Sequence, residues 1–333
     1  SHWLDNKRDV SIVRRGYDLF HSIQYMADII RHLPQMRGYD VVQVTNPVFF
    51  DLRPEKNWTI FKYLKKHNKK IFLDALAIDH YYVKACLDGK TFRYSDFFVG
   101  DRPLPHPERE KMLAAWIGGP NERPNIEMAQ EANGIIACLY EYYAAYQPEY
   151  ADKLAYIPIP IDLSINPFHP IKSTPEVVKF FIGIQQHRTA IKGTDILLDV
   201  LREIHDKYPR ESHIQKVVSV PFDEYNKLLV DCHILLDQLY SYTPATNALA
   251  AMARGIIAVS GAEPEFYNFI GEQKLRPIIN VLPDRNDIFK QLENLIIHRD
   301  QLPRLSTESR QFVEKYHDHV KVARQYLEFW EKH

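Results

Sequence analysis

The sequence predicts an α/β protein made of two Rossmann-like domains, and three observations lead to this prediction. Short β-branched or apolar segments alternate with helical patterns along most of the chain, which is typical of parallel β-α-β units. A segment with five prolines, residues 157–175, interrupts this alternation near the middle of the chain. The length of 333 residues also exceeds the roughly 250 residues at which a single hydrophobic core stops growing.

In the first half of the chain, four segments have strand composition and three have helical periodicity. The predicted strands are residues 39–45, 70–78, 134–139 and 154–159, and the predicted helices are residues 18–33, residues 57–67 and a segment before Gly134. Residues 100–124 are rich in proline, glycine and charge. We therefore expect a long excursion over the surface there.

The prolines of residues 157–175 are incompatible with a continuous helix and predict an extended linker between the domains. The alternation resumes after this segment. The predicted strands of the second half are residues 177–183, 215–220, 233–239, 256–259 and 278–281, and the predicted helices are residues 195–207, 223–230, 244–254, 284–298 and 306–330. Thr194 and Thr243 directly precede two of these helices, so we predict both threonines as N-caps.

Composition and charge exclude several classes of protein. Lys plus Arg (42) balance Asp plus Glu (43), which gives a net charge of -1 and no general attraction for nucleic acid. The content of only 12 glycines, about half the usual number for this length, argues against collagen-like and low-complexity architectures. Cys86, Cys138 and Cys232 lie far apart in apolar surroundings, which predicts buried thiols and a cytoplasmic protein.

The first candidate site lies at a strand-to-helix junction of the second half. In open α/β sheets, ligands bind beyond the carboxyl ends of the strands. This junction begins at Gly183 and contains Arg188, Lys192 and Gly193. Two cations beside a helix N-terminus predict an anion site. The alternative is that both cations only solvate a loop.

Two further junctions of the second half carry candidate ligand-binding residues. Tyr242 and Thr243 precede one helix, and Gly261, Glu263 and Glu265 surround the start of another. The two glutamates could accept hydrogen bonds from sugar hydroxyls, or they could simply favour the positive end of the helix dipole. Taken together, the three junctions predict a site for a phosphate-bearing ligand.

The order and spacing of these segments resemble the donor-binding domain of family 4 glycosyltransferases, which have the GT-B fold. The resemblance is good over residues 175–330, where AAMARG and SGAEPE match two characteristic segments, and looser before them. It implies two Rossmann-like domains that face each other across a cleft. The implied division is an N-terminal acceptor domain over residues 1–165, a C-terminal donor domain over residues 166–316, and a helix over residues 317–333 that crosses back onto the first domain.

The resemblance also implies functional roles. Arg188 and Lys192 would bind the diphosphate of a UDP-sugar or GDP-sugar, and Pro221 would lie near the nucleobase. The acceptor would be a saccharide or a lipid-linked molecule, and the reaction would retain the anomeric configuration. No separate cofactor is implied. Because the sequence lacks an Asp-x-Asp pair, we expect protein cations rather than a metal ion at the diphosphate.

The sequence departs from the family pattern at two places. Tyr242 and Ala250 stand where the family carries two glutamates, so the alternative function is a non-catalytic nucleotide-binding or scaffold protein. A sugar-nucleotide epimerase is a third class with less support. Nothing in the sequence matches the strand, glycine-containing loop and helix that open the family's first domain. We therefore expect native residues before Ser1.

The candidate catalytic residues are Asp79 and His80, which directly follow the predicted strand at residues 70–78. The resemblance implies a histidine that faces the donor sugar from such a position, and either side chain could move a proton. The alternative is that Asp79 caps the next helix. Glu141 is a weaker catalytic candidate. 

A lysine-rich segment supports a further expectation, peripheral contact with an anionic membrane surface. Its alternative is an ordinary solvated helix face. The segment contains Lys62, Lys65, Lys66, Lys69 and Lys70.

Overall fold

The computed structural model describes residues 9–104 and 106–333. Its N-terminal domain contains a parallel sheet of four strands in the order β1-β2-β5-β6, and a small hairpin formed by β3 and β4. The strands are β1 (Val41–Val44), β2 (Lys70–Ala75), β3 (Phe98–Val99), β4 (Arg102–Pro103), β5 (Gly134–Ala137) and β6 (Leu154–Tyr156). The helices are α1 (Leu19–His32), α2 (Pro54–His67), α3 (His80–Leu87), α4 (Pro107–Trp116), α5 (Glu122–Glu131) and α6 (Tyr140–Tyr150).

The C-terminal domain contains a second parallel sheet, with strand order β11-β10-β9-β7-β8. Its strands are β7 (Val178–Ile184), β8 (Ser212–Val218), β9 (Ile234–Leu236), β10 (Ile257–Ser260) and β11 (Ile279–Asn280). The helices are α7 (Thr189–Lys192), α8 (Thr194–Lys207), α9 (Phe222–Leu229), α10 (Thr246–Ala253), α11 (Pro264–Phe269), α12 (Arg285–Ile297), α13 (Leu302–Tyr316) and α14 (His319–Lys332).

Both sheets are parallel throughout, which confirms the predicted α/β class. The strands β5, β9 and β10 are buried along their whole length. Continuous apolar burial of this kind is typical of parallel strands that are covered by helices on both faces. All three cysteines are buried and unpaired, as expected from their surroundings.

The segment predicted as a surface excursion, residues 100–124, is instead largely helical. It contains α4, which buries Trp116 and Arg109. Pro107 occupies the first turn of this helix, and the His106 side chain accepts a hydrogen bond from the backbone N–H of Glu108. The proline marks the start of a helix, a position where its missing N–H costs nothing.

Both predicted threonine N-caps are wrong. Thr194 is the first residue of α8, and the cap position belongs to Gly193, whose φ of +67° links α7 directly to α8. Thr243 lies before Ala245, the N-cap of α10, and its hydroxyl donates a hydrogen bond to Glu141. The helix after Thr194 thus begins one residue earlier than predicted, and the helix after Thr243 begins two residues later than predicted.

The C-terminal helix crosses back onto the N-terminal domain, as predicted. Val322 of α14 is buried against Phe72, Ile136 and Ile157. The crossing begins at a β-bridge between Ile161 and the residue that caps α14, Asp318. In the described part of the chain, no helix is both long and apolar enough to cross a membrane.

Candidate active site

A cleft of about 850 Å³ lies between the carboxyl ends of the two sheets. Its volume falls within the range of roughly 300 to 1,000 Å³ that is common for small-molecule sites. Both domains and the linker contribute to its walls. Its polar lining includes Tyr82, Asp96, Glu141, Asp162, Asn166, Arg188, Lys192, Asn226, Asp237, Gln238, Asn247 and Arg254.

The two predicted diphosphate-binding cations both line this cleft. Arg188 caps the short helix α7, and Lys192 is its last residue. Neither side chain forms an ion pair within residues 9–104 and 106–333. Gly193 holds this turn against the next loop, because an added Cβ would lie 2.7 Å from the Cβ of Leu239. The strand-to-helix turn therefore presents two positive charges to the cleft.

Gly183 and Pro221 are not among the residues that line the cleft. Gly183 lies inside β7, where an added Cβ would lie 2.6 Å from the ring of Tyr225. Gly183 makes room for that ring, and the prediction that it borders the diphosphate stays a prediction. Pro221 is the N-cap of α9, and it places Phe222 and Asn226 of that helix at the cleft wall.

The Tyr242 side chain packs in the contact between the two domains and does not line the cleft. Its side chain is 2% exposed and belongs to the core of the N-terminal domain. The ring centroid lies 4.8 Å from that of Tyr94 and 5.4 Å from that of Phe92. Its hydroxyl accepts a hydrogen bond of 2.6 Å from the backbone N–H of Arg93. The side chain does not line the cleft, and donor binding by Tyr242 stays a prediction.

Glu141 of α6 is the buried acceptor that fixes the same loop. Its Oε1 accepts hydrogen bonds from the backbone N–H groups of Tyr242 (2.6 Å) and Thr243 (2.9 Å). Its Oε2 accepts from the Thr243 hydroxyl at 2.5 Å. Burial raises the pKa of this carboxyl, and the hydrogen bonds from Thr243 and Tyr242 oppose that rise. Thr243 thus contacts Glu141 instead of a donor sugar.

The glutamates of the third junction are also occupied by the N-terminal domain. Glu263 is 1% exposed, and its Oε1 accepts hydrogen bonds from the Tyr94 hydroxyl (2.6 Å) and the Asn280 amide (2.9 Å). Arg93 forms ion pairs with Glu263 and with Glu265, the latter at 3.0 Å. Both carboxylates therefore have partners in the N-terminal domain, and donor binding by either of them stays a prediction.

Gly261 permits the close approach that this contact needs. An added Cβ at Gly261 would lie 1.7 Å from the carbonyl oxygen of Ser241. The two loops that carry the glutamates and the tyrosine are thus in backbone contact. We call Arg93, Tyr94, Glu141, Tyr242, Thr243 and Glu263 the interdomain network.

Asp79 and His80 lie outside the lining of the cleft. Asp79 is buried, caps α3 by accepting from the backbone N–H of Tyr82 (2.9 Å), and also accepts from the Tyr146 hydroxyl (2.7 Å). Burial raises its pKa to about 6. His80 is buried too, with Nδ1 3.0 Å from the carbonyl oxygen of Trp116. The capping interpretation of Asp79 is confirmed, and a catalytic role for either residue stays a prediction.

Three acidic side chains of the cleft, Asp96, Asp162 and Asp237, are absent from the sequence-based prediction. Asp96 accepts a hydrogen bond of 3.1 Å from the Tyr82 hydroxyl, and burial raises its pKa to about 6 against the opposing charges of Arg109 and Arg188. It lies in an irregular segment before β3, where no pattern marks it. Asp237 directly follows β9, so the rule that ligands bind at strand ends could have found it.

The lysine-rich segment is partly neutralised. Lys65 pairs with Glu131 and Lys69 with Asp40, while Lys70 Nζ donates to the carbonyl oxygen of Trp330 at 2.6 Å. Contact of this face with a membrane stays a prediction. Within the described residues, no group of three or more His, Cys, Asp or Glu side chains is arranged to hold a metal ion.

Comparison with solved structures identifies the architecture. Sucrose-phosphate synthase from Thermosynechococcus elongatus superposes with a TM-score of 0.62 at 13% identity, over 97% of this chain and 82% of the synthase. HepE from Anabaena, solved with UDP and glucose, gives a TM-score of 0.59 at 11% identity, over 97% of this chain and 85% of HepE. This chain has the GT-B glycosyltransferase fold.

A third GT-B structure agrees with this result. WaaG, a glycosyltransferase involved in lipopolysaccharide biosynthesis, superposes with a TM-score of 0.52 at 13% identity, over 92% of this chain and 82% of WaaG. No family model matches the sequence, and no curated protein sequence matches it. The predicted GT-B fold is confirmed by the structural comparison.

Proposed function

We propose that this protein is a glycosyltransferase that moves a sugar from a UDP-sugar or GDP-sugar to a saccharide or lipid-linked acceptor. The acceptor would belong to a surface polysaccharide or another glycoconjugate. The observation that carries the proposal is the pair Arg188 and Lys192, which line the cleft of a GT-B fold and have no ion-pair partner among the described residues. HepE, which shares the fold, was solved with UDP.

The chemistry of the proposed reaction needs positive charge where the donor breaks. As the bond between the sugar and the diphosphate lengthens, negative charge builds up on the leaving group. Arg188 and Lys192 would stabilise that charge through charge-assisted hydrogen bonds. In this proposal the two cations take the place of a metal ion at the diphosphate, so the reaction needs no metal. Retention of configuration rests on the family resemblance.

The experiment that tests this proposal is a nucleotide titration of the double variant R188A/K192A. We expect the wild-type protein to bind one of UDP, GDP and ADP, and the double variant to bind it at least about 100-fold more weakly, because two charge-assisted contacts are lost. Isothermal titration calorimetry measures both affinities. The control is R210A/K290A, which removes the same charges from exposed positions outside the cleft. Unchanged affinity in R188A/K192A would refute the diphosphate placement.

The alternative function is a nucleotide-binding protein without catalysis. It is favoured by Tyr242 and Ala250, which supply no carboxylate at the cleft, and by the occupied state of Glu263. A donor-hydrolysis assay with the nucleotide sugar whose nucleotide binds best separates the two functions. Release of free sugar supports the transferase, whereas binding without turnover supports the alternative.

Asp96 is the cleft carboxylate that we propose as proton acceptor for the incoming hydroxyl group. Replacing it with asparagine is expected to lower the rate of donor hydrolysis by about 100-fold, a common value for loss of general-base catalysis. Since the pKa of Asp96 is about 6, the wild-type rate should fall as pH drops below that value. The variant should lack this dependence.

The control for this prediction is D101N, which changes an exposed aspartate in the turn between β3 and β4. It should keep both the wild-type rate and the wild-type pH profile. A D96N variant with an unchanged rate and an unchanged acidic limb would show that another group accepts the proton.

A further inference from the structure

Asp237 is a buried carboxylate, and one of its two oxygens has no hydrogen-bond partner among the described residues. It lies directly after β9, is 3% exposed, and lines the cleft. Its Oδ1 accepts a hydrogen bond of 3.0 Å from the side-chain amide of Asn247 on α10. Its Oδ2 is buried and has no hydrogen-bond partner among the described residues. A buried acceptor of this kind is costly unless something fills its remaining positions.

Asp237 borders the part of the cleft that α9 and α10 also line, and we call this part the recess. Asn226 of α9, and Asn247 and Ala250 of α10, line the same cleft. Tyr225 of α9 packs edge-to-face against Phe181 of β7, and burial, with a smaller contribution from the charge of Asp237, raises the pKa of its hydroxyl. Ala250 lies three residues after Asn247 and so on the same face of α10, where its small side chain fills little of the cleft. A neutral, hydroxyl-bearing group therefore has both room and an acceptor.

The position of the recess relates it to the two cations. The backbone N–H of Leu239, in the loop that follows Asp237, donates to the carbonyl oxygen of Lys192 at 2.9 Å. The recess and the positively charged turn of α7 thus border one cleft. A nucleoside in the recess could direct its diphosphate towards Arg188 and Lys192.

We infer that Asp237 binds the ribose hydroxyls of the nucleoside diphosphate, with Asn247 as the residue that positions the carboxylate. The inference rests on the proposed function. One carboxylate oxygen has two acceptor positions, which suit two neighbouring hydroxyl donors. The edge of a guanine base would need both oxygens at once, and Oδ1 is already held by Asn247. The carboxylate therefore selects the sugar of the nucleotide rather than its base.

The test compares each nucleotide with its 2′-deoxy and 3′-deoxy forms by isothermal titration calorimetry. UDP, GDP and ADP are the probes. For the nucleotide that binds best, we expect wild-type protein to bind the deoxy forms about tenfold more weakly, because each loses a hydrogen bond to a charged acceptor. D237N should bind the parent nucleotide about 10-fold to 100-fold more weakly and should not discriminate against the deoxy forms.

The control is D206N, which changes an exposed aspartate of α8 and should behave as wild type. A second variant, D237S, repeats the test with a smaller neutral side chain in case the asparagine variant does not fold. Equal wild-type affinity for ribose and deoxyribose forms would overturn the inference, and so would D237N that still discriminates. A variant that changes only the preference among bases would also overturn it.

The same titrations separate this inference from the proposed function. If wild-type protein binds none of the three nucleotides, both fail together. If it binds a nucleotide through Arg188 and Lys192 but ignores the ribose hydroxyls, only the assignment of Asp237 fails. Loss of ribose discrimination in both Asp237 variants, with D206N unchanged, supports the assignment.

Discussion

Replacing Glu141 with alanine is expected to destabilise the protein by about 3 kcal/mol and to loosen the contact between the domains. The Glu141 carboxylate is buried and accepts three hydrogen bonds from the loop of Tyr242 and Thr243. Alanine would leave two backbone N–H groups and a hydroxyl without partners in a buried contact, which carries the full desolvation penalty. Urea denaturation measures the stability, and hydrogen exchange of the Tyr242 and Thr243 amides reports on the contact itself.

Two variants calibrate the Glu141 prediction. Glu141→Gln keeps a carbonyl oxygen as acceptor and adds an amide that can donate to the Thr243 hydroxyl, so we expect a loss of only about 1 kcal/mol. Glu149→Ala changes the same helix at an exposed ion pair with Lys84 and should cost about 0.5 kcal/mol or less. Amides at Tyr242 and Thr243 that stay fully protected in Glu141→Ala would contradict the proposed role.

Replacing Asp74 with asparagine is expected to stabilise the protein at about pH 8 by several kcal/mol, at most about 4. Asp74 is fully buried in β2, where Gln43 donates to its Oδ2 at 2.6 Å and its Oδ1 has no partner among the described residues. Burial raises its pKa to about 7. Asparagine occupies the same volume and cannot ionise.

The sign of the Asp74 effect follows from proton binding. In the unfolded chain this carboxyl loses its proton near pH ~4, whereas in the folded protein it keeps the proton until about pH 7. Between these values the folded state binds more protons, so stability falls as pH rises. Asp79 and Asp96, with pKa values of about 6, act in the same direction in wild type and in the variant.

Urea denaturation of wild type and Asp74→Asn, at about pH 4 and about pH 8, measures this difference. The two proteins should be nearly equal at about pH 4, should separate as the pH rises towards about 7, and should differ by a constant amount above that pH. Asp152→Asn, an exposed substitution, is the control. A constant difference between the two curves across this range would show that Asp74 is ionised in the folded protein well below pH 7.

The sequence predicted the parts of the fold that depend on local pattern. The buried apolar run of β5 and the turn with Arg188 and Lys192 follow from composition and periodicity, whereas the crossing of α14 was expected only from the family resemblance. The ends of helices were harder to predict, because the hydroxyl of a threonine next to a helical pattern can also form hydrogen bonds with groups elsewhere in the fold. Thr243 caps no helix since Glu141, from the other domain, competes for its hydroxyl.

The partners of Tyr242 and Glu263 could not be predicted from the sequence, for one physical reason. Tyr242 and Glu263 lie at strand ends of the C-terminal domain, where a ligand would be expected. In the folded protein, Arg93 and Tyr94 of the N-terminal domain form hydrogen bonds with these two residues. A local pattern carries no information about which surface docks onto a loop, and for the same reason nothing marked Asp96. Asp237 differs, because its place after a strand was visible in the pattern.

The most direct test of the central claim is a crystal structure of this protein with the nucleoside diphosphate that binds best. The account predicts diphosphate oxygens within hydrogen-bond distance, about 3.2 Å or less, of the side chains of Arg188 and Lys192, in the cleft between the two sheets. A nucleotide bound elsewhere, or one whose phosphates contact neither cation, would contradict the account.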